Sequence, residues 1–206
     1  MDRIDPNSAA LVIQDLQNDV IIDGGAFAES GAPEHAKSQN VVENVRGLAE
    51  ACRSAGVPVI HVWYVVEPGA AGLKQNAPLF EGVKDANALV RGSWGAAAAD
   101  GLEPQEGDHI VEKMRMNAFY DTKLDILLRG LAVETLIVTG AWTNMSVEHT
   151  ARHAADAGYR AVVASDGTST VNEEWQKAAL EYALTNVAIV GTCAEIAEAI
   201  GATVSA

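Results

Sequence analysis

The chain has 206 residues, 49% of them apolar, with 18 Gly and only 6 Pro. That is the composition of one domain able to bury a substantial core, not of a disordered, collagenous or linker-rich chain. Acidic residues outnumber basic ones 28 to 14, a formal net charge of −14, so a nucleic acid partner would have to overcome phosphate repulsion and none is expected.

The start, Met1-Asp2-Arg3-Ile4-Asp5-Pro6, has neither the basic nor the apolar part of a secretory signal, and no later apolar run approaches the ~20 residues of a bilayer span. A cytoplasmic chain with no membrane partner is the expectation. Cys52 and Cys193 are too few for a disulfide framework or a four-thiolate zinc site.

In chain order, the apolar run at residues 9–13 predicts the first strand. Val41, Val45, Leu48 and Cys52 then form one helical stripe, which Ala55-Gly56-Val57-Pro58 ends before a second strand at 57–65. Residues 67–107 resist the alternation: Gly69, Gly72, Gly82 and Gly92 and the alanine run 96–99 mark a long insertion, either a functional loop or lid or a plain surface connection. A third strand follows at 109–111. Leu124, Leu127, Leu128 and Leu131 predict a helix, residues 136–139 a strand, and 147–157 a helix stopped by Gly158. A strand at 161–164, a helix at 173–184 and a strand at 187–190 come next. Thr192 with Glu195 is a capping-box pattern opening a last helix at 194–200.

Each strand is a continuous apolar run, as suits strands covered on both faces. Strand and helix alternate throughout. The predicted fold is therefore α/β: a single doubly wound three-layer domain over residues 1–206, built on a six-stranded, mainly parallel sheet.

In such sheets ligands bind outside the carboxyl ends of the strands. That rule selects Asp15 after the first strand, Lys113 after the third, and 142–146 after the fourth, just before a helix. Together they would bring a carboxylate, an ammonium and a hydroxyl into one crevice. Taken singly, each also has a plain structural role, as helix cap, surface cation or N-cap.

The runs ALVIQDLQND (10–19), GDHIVEK (107–113) with Ala118-Phe119 and Thr122-Lys123-Leu124-Asp125, VTGAWTNMSVEHTAR (138–152) and ADAGYR (155–160) resemble the isochorismatase-like cysteine hydrolases, in order and over nearly the whole chain. The resemblance implies that Asp15 is the acid/base carboxylate and Lys113 the cation beside it. The family's nucleophilic Cys slot is occupied here by Ser146. The resemblance further implies a cis peptide at Ala141-Trp142, an oxyanion hole made by the backbone N–H groups of Trp142 and Ser146, and dimers or tetramers of the chain.

A thiol at a helix N-terminus beside a cation ionises readily, whereas a serine hydroxyl must lose its proton to a base during attack. Three explanations of Ser146 stay open: a working nucleophile with Asp15 or a desolvated Lys113 as base; a spectator in a noncovalent, isochorismatase-type vinyl-ether hydrolase; or a Cys-to-Ser replacement in a cysteine enzyme. Against all three stands a catalytically silent relative that binds a small ligand.

Nicotinamidases of the family carry a metal-binding Asp-x-His after the second strand; here that stretch reads IHVWYV (60–65), without a carboxylate. His149 and His153 are one helical turn apart but lack an evident third ligand. No metal and no other cofactor is expected. Cys52 reads as a small buried apolar residue, and Cys193 has no Asp or Lys motif of its own.

Arg91-Gly92-Ser93-Trp94 resembles the Lys/Arg-Gly-Ser-Trp segment of amidohydrolases that act on ureido or carbamoyl compounds. That resemblance implies Arg91 as the partner of a substrate carboxylate, with a surface salt bridge as the plainer alternative. Trp63, Trp94 and Phe119, near predicted loop ends, are the other expected substrate-binding residues, with Trp142 narrowing the site. The expected partner is a small amide or ureido acid, cleaved at a C–N bond.

Overall fold

The computed structural model describes residues 1–201. β1 (Ala9–Gln14) is buried at all six positions, as its unbroken apolar run requires. Asn18–Ile21 (α1) and Ala32–Ser38 (α2) follow, then α3 (Val41–Ser54) and β2 (Val59–Tyr64). The insertion carries α4 (Pro78–Asp85) before β3 (His109–Lys113), α5 (Leu124–Gly130) and β4 (Thr135–Ala141). A π-helical turn, Thr143–Val147, leads into α6 (Glu148–Asp156), and β5 (Arg160–Ser169), α7 (Glu173–Lys177), β6 (Ile189–Gly191) and α8 (Cys193–Ile200) complete the order.

The six strands run β3-β2-β1-β4-β5-β6, and every pairing is parallel, so the sheet is wholly rather than mainly parallel. Side-chain alternation splits the core in two. Leu11, Ile13, Ile137 and Val162 face the α3 and α8 side with Val45, Leu48 and Ile196. Ala10, Val12, Val138 and Val163 face the α5 and α6 side with Leu124, Leu128 and Ala151. α3 is the helix of the predicted stripe. α8 has the predicted capping box, with Thr192 and Glu195 each bonding the other's backbone N–H.

The boundaries moved where the backbone departs from regular geometry. The helix predicted over 173–184 is α7 followed by a π-helical turn, Ala178–Ala183. β5 outruns its apolar core because a register shift between Val138 and Gly140 lets the chain continue to Ser169. α1, α2 and α4 were absent from the sequence reading. α1 is only four residues long, and α2 and α4 open on Pro at their first turn but last only about two turns, too short to repeat an apolar stripe as α3 does.

Strand order turns back between β1 and β4: β2 and β3 lie on one side, β5 and β6 on the other. The carboxyl ends of β1 and β4 therefore flank the crevice where doubly wound sheets bind ligands. Among the described residues no helix is long and apolar enough to cross a membrane.

Candidate active site

Asp15 leaves β1 with φ of 56°, the left-handed conformation that Asp tolerates better than most side chains. Its N–H still donates to Val62 O at 2.9 Å, so the residue is held to the sheet as it turns. Lys113 ends β3 directly beside Tyr64 in the β2–β3 register. Its Nζ donates to Asp15 Oδ2 at 2.7 Å and to the Arg115 carbonyl at 2.9 Å, and it sits 4.8 Å from the centre of the Tyr64 ring. The Lys113 side chain is 0% exposed and that of Asp15 5%.

Burial pushes the Asp15 carboxyl up from the ordinary carboxylate range, against the opposing pull of the Lys113 charge, the Lys113 hydrogen bond and the Ser146 hydroxyl. Burial likewise pushes Lys113 down, against the pull of Asp15. Both shifts run toward the uncharged pair, because two desolvated ions lose more hydration than one contact returns. Asp15 Oδ1 has no hydrogen-bond partner.

Ser146 sits in the π-helical turn after β4, buried, its Oγ donating to Met116 Sδ at 3.5 Å. The turn is held from below: Thr143 Oγ1 donates to Gln176 Oε1 at 2.5 Å, and Gln176 Nε2 donates to Thr168 O at 3.1 Å. The strand before it must carry glycine. A Cβ on Gly140 would lie 2.1 Å from Gln14 O, so only glycine lets β4 approach β1 this closely at the site. The Ala141–Trp142 peptide is cis, as the family resemblance implied.

Asp15, Ser146, Trp142, Tyr64 and Met116 line one pocket, walled further by Val20, Phe27, Leu79, Val83 and Leu89. The space between atoms, including a mouth that opens to solvent, is about 400 Å³. The site as formed accepts a small group.

Leu79, Val83 and Leu89 come from the 67–107 insertion, which is thus part of the pocket wall. Three consecutive side chains after β1 pin it down. Gln17 Nε2 donates to Tyr64 O and Ala96 O at 2.9 and 2.8 Å, Asn18 Nδ2 to Trp94 O at 2.8 Å, and Asp19 accepts from Leu89 N at 2.6 Å.

The expected substrate-binding residues other than Trp142 lie outside this pocket. Strand alternation turns Trp63 away from Tyr64, into a separate cleft with Arg91 and Glu112. Arg91 donates to Glu67 at 2.7 Å and, in a two-pronged pair, to Glu112 at 2.8 and 2.7 Å. Its charge is already matched, the surface salt bridge named as the plainer alternative. Trp94 is 57% exposed; its backbone oxygen, not its ring, is the part in use. Phe119 is packed in the α5/α6 half of the core, stacked on His153 with ring centres 4.5 Å apart.

Tyr64 and Met116 line this pocket but are not among the residues expected from the sequence. Tyr64 carried a usable signal, since it stands at the carboxyl end of β2, where the same strand-end rule selected Asp15 and Lys113.

Among the described residues no group of three or more His, Cys, Asp or Glu side chains is arranged to hold a metal ion. His149 Nδ1 bonds Met145 O and His153 Nδ1 bonds Asn117 Nδ2, each at 2.9 Å. Both cysteines are buried; burial pushes the Cys52 thiol up to about 12 and that of Cys193 up as well, which keeps both in the unreactive thiol form.

Residues 9–195 match the family model described as Isochorismatase domain. Ureidoacrylate amidohydrolase RutB of Enterobacter sp. (strain 638) is 33% identical over 214 residues, an alignment covering 95% of this chain and 90% of that protein. The solved structure of a cysteine hydrolase from Pseudomonas syringae pv. phaseolicola 1448A superposes with a TM-score of 0.86 at 26% identity, over 98% of this chain and 96% of its own. N-carbamoylsarcosine amidase from Thermoplasma acidophilum superposes with a TM-score of 0.71 at 27% identity, over 90% of this chain and 96% of its own. In sequence and in fold, this chain belongs to the isochorismatase family.

Proposed function

We propose that this chain is an amidohydrolase that cleaves the C–N bond of a small amide, ureido or carbamoyl substrate, with Asp15, Lys113 and Ser146 as its reacting set. The observation that carries the reading is the buried Asp15–Lys113 pair, one carboxylate oxygen of which has no partner, beside the Ser146 hydroxyl in one pocket. Two similar proteins with amidohydrolase or amidase names support the reaction class.

A base for serine must hold its proton loosely at working pH yet be able to take one. Asp15, raised by burial, meets that need better than an exposed carboxylate. Ser146 Oγ attacks the substrate carbonyl carbon as its proton passes to Asp15, forming a tetrahedral intermediate. In this reading the backbone N–H groups of Trp142 and Ser146 form the oxyanion hole for the negative charge that develops on the carbonyl oxygen. Asp15 then returns the proton to the leaving nitrogen and the C–N bond breaks. Water, deprotonated by the same carboxylate, hydrolyses the acyl-enzyme and restores Ser146. Lys113, fixed to Asp15 and to the Arg115 carbonyl, holds the carboxylate in place and tempers its charge.

A second reading keeps Asp15 but not the covalent step. The Ser146 hydroxyl donates to Met116 Sδ, a weak acceptor, as a spectator would, and water then attacks a substrate protonated by Asp15, in the manner of vinyl-ether hydrolysis.

Kinetics of the parent, Ser146→Ala and Ser146→Cys on small amides, ureido acids and isochorismate separate the two. Loss of C–N hydrolysis in Ser146→Ala, with a mass adduct on residue 146 of the parent, is the expected result. Activity that survives in Ser146→Ala overturns the covalent mechanism. Activity in the cysteine variant alone identifies serine as a disabled nucleophile.

A further inference from the structure

Three residues that line the pocket carry buried polar atoms with no hydrogen-bond partner: Asp15 Oδ1, Tyr64 Oη and Trp142 Nε1. Unmet buried polar groups are rare in folded proteins, and each needs a reason. The three differ in kind. The indole N–H only donates, the carboxylate oxygen accepts when ionised, and the phenol does either. A carbamoyl group is their complement, since its carbonyl accepts and its N–H groups donate.

Ser146 apart, the rest of the lining is apolar, and no Lys or Arg side chain belongs to it. Lys113 is bound to Asp15 and Arg91 to Glu67 and Glu112. Arg115, close to the site in sequence, lies over the Phe80 ring at 4.1 Å and donates to Lys74 O. The whole chain, at a formal charge of −14, repels anions on approach. A substrate carboxylate would be buried here without a partner, which is strongly unfavourable.

We propose that the substrate is uncharged, a primary amide or monosubstituted urea with a small apolar tail, and that Trp142 Nε1 and Tyr64 Oη are its positioning contacts. The inference rests on the hydrolase reading above and narrows its substrate class. It departs from the carboxylate partner that the Arg91 segment suggested.

n-Propylurea and hydantoic acid differ only in a terminal ethyl group against a carboxylate. Calorimetric binding of each to the Ser146→Ala variant, which forms no acyl-enzyme, tests the proposal directly. n-Propylurea is expected to bind at least about tenfold tighter, because the acid buries an unpaired charge. Tyr64→Phe, which keeps the ring under Lys113, and Trp142→Phe should each weaken n-propylurea roughly two- to tenfold, the worth of one hydrogen bond, with melting curves confirming that each variant is folded.

Equal or tighter binding of hydantoic acid overturns the proposal, and loss of that binding in Arg115→Gln would place the carboxylate on Arg115. Unchanged affinity in both ring variants also overturns the assignment. Turnover separates this claim from the one beneath it. Selective n-propylurea binding with no hydrolysis of any amide or urea sinks the hydrolase reading alone, and efficient hydrolysis of hydantoic acid but not of n-propylurea sinks this one alone.

Discussion

Asp15 and Asp108 are both buried carboxylates facing a cation, and their pKa values move in opposite directions. Asp108 accepts from Arg53 Nε and Nη2 at 3.1 and 2.6 Å and from Gln105 N at 2.9 Å, and contacts His61 Nε2 at 3.1 Å. Burial pushes its carboxyl up, but these bonds outweigh burial and hold it below the ordinary value. Asp15 accepts from Lys113 with one oxygen and leaves the other unmet, so burial prevails and its carboxyl is raised. A cation beside the carboxylate is common to both; deeper burial at Asp15 and the two-pronged Arg53 contact with its companions at Asp108 set the two directions. A saturated carboxylate holds structure, and an unsaturated one keeps an oxygen for a proton.

The largest expected effect breaks the comparison at Asp15. Asp15→Asn should lower kcat for the C–N hydrolysis by roughly 10²–10⁴-fold, the usual worth of a general acid–base, in steady-state assays, while the variant stays folded. Asp108→Ala should do the reverse. Losing the partner of Arg53 destabilises by about 3 kcal/mol, the low end for a broken buried pair, because the Arg53 side chain keeps 21% exposure and can turn toward water. Denaturant unfolding measures that loss, and kcat/KM of the folded variant should match the parent.

Acid sharpens the contrast. Asp15 works as a base only when deprotonated, so kcat/KM should fall with acid at a pH above the ordinary carboxylate value of 3.8. For stability the signs oppose each other. The lowered Asp108 contributes stability above 3.8 that is lost as pH falls through its folded pKa. The raised Asp15 contributes stability below 3.8 that is lost as pH rises through its own. The stability gap between parent and Asp108→Ala should therefore narrow in acid, whereas the parent should gain on Asp15→Asn.

Asp19 extends the saturated class to the insertion. It accepts from Ala26 N at 2.9 Å and Leu89 N at 2.6 Å, and a Cβ on Gly95 would lie 2.1 Å from its Oδ2. Gly95→Ala should cost about 1–3 kcal/mol through overpacking. It should also raise KM more than it lowers kcat, because Leu89 lines the pocket while the reacting groups stand on other elements. A fall in kcat at unchanged KM would contradict that division.

Much of the fold was legible because both-face burial writes itself into continuous apolar runs, and the strand-end rule led straight to Asp15, Lys113 and the turn holding Ser146. What stayed hidden depends on distant partners. Nothing in 91–94 announces that Glu67 and Glu112 enclose Arg91. Nothing local separates Trp63 from Tyr64 either, until the end of β2 is fixed. With the strand expected to run to Val65, Tyr64 read as an interior residue, and the one-residue difference decides which ring reaches the pocket. The donors that saturate Asp108 and Asp19 are also mostly backbone N–H groups or side chains far away in sequence, invisible before folding.

The smallest effect is expected at Arg91, and it tests whether two-pronged geometry alone confers importance. Arg91 meets Glu112 in a two-pronged pair through Nη1 and Nη2, as Arg53 meets Asp108 through Nε and Nη2. The setting differs: Arg91 and Glu112 are 47% and 44% exposed, against 3% for Asp108. Exposed ions keep most of their hydration whether paired or not, so the pair adds little to folding. Arg91→Gln should leave the melting temperature within error of the parent and KM for n-propylurea unchanged, since the side chain lies outside the pocket. A KM that rose severalfold for a carboxylate-bearing substrate would instead show that Arg91 leaves its glutamates on binding, and would join the two clefts into one site.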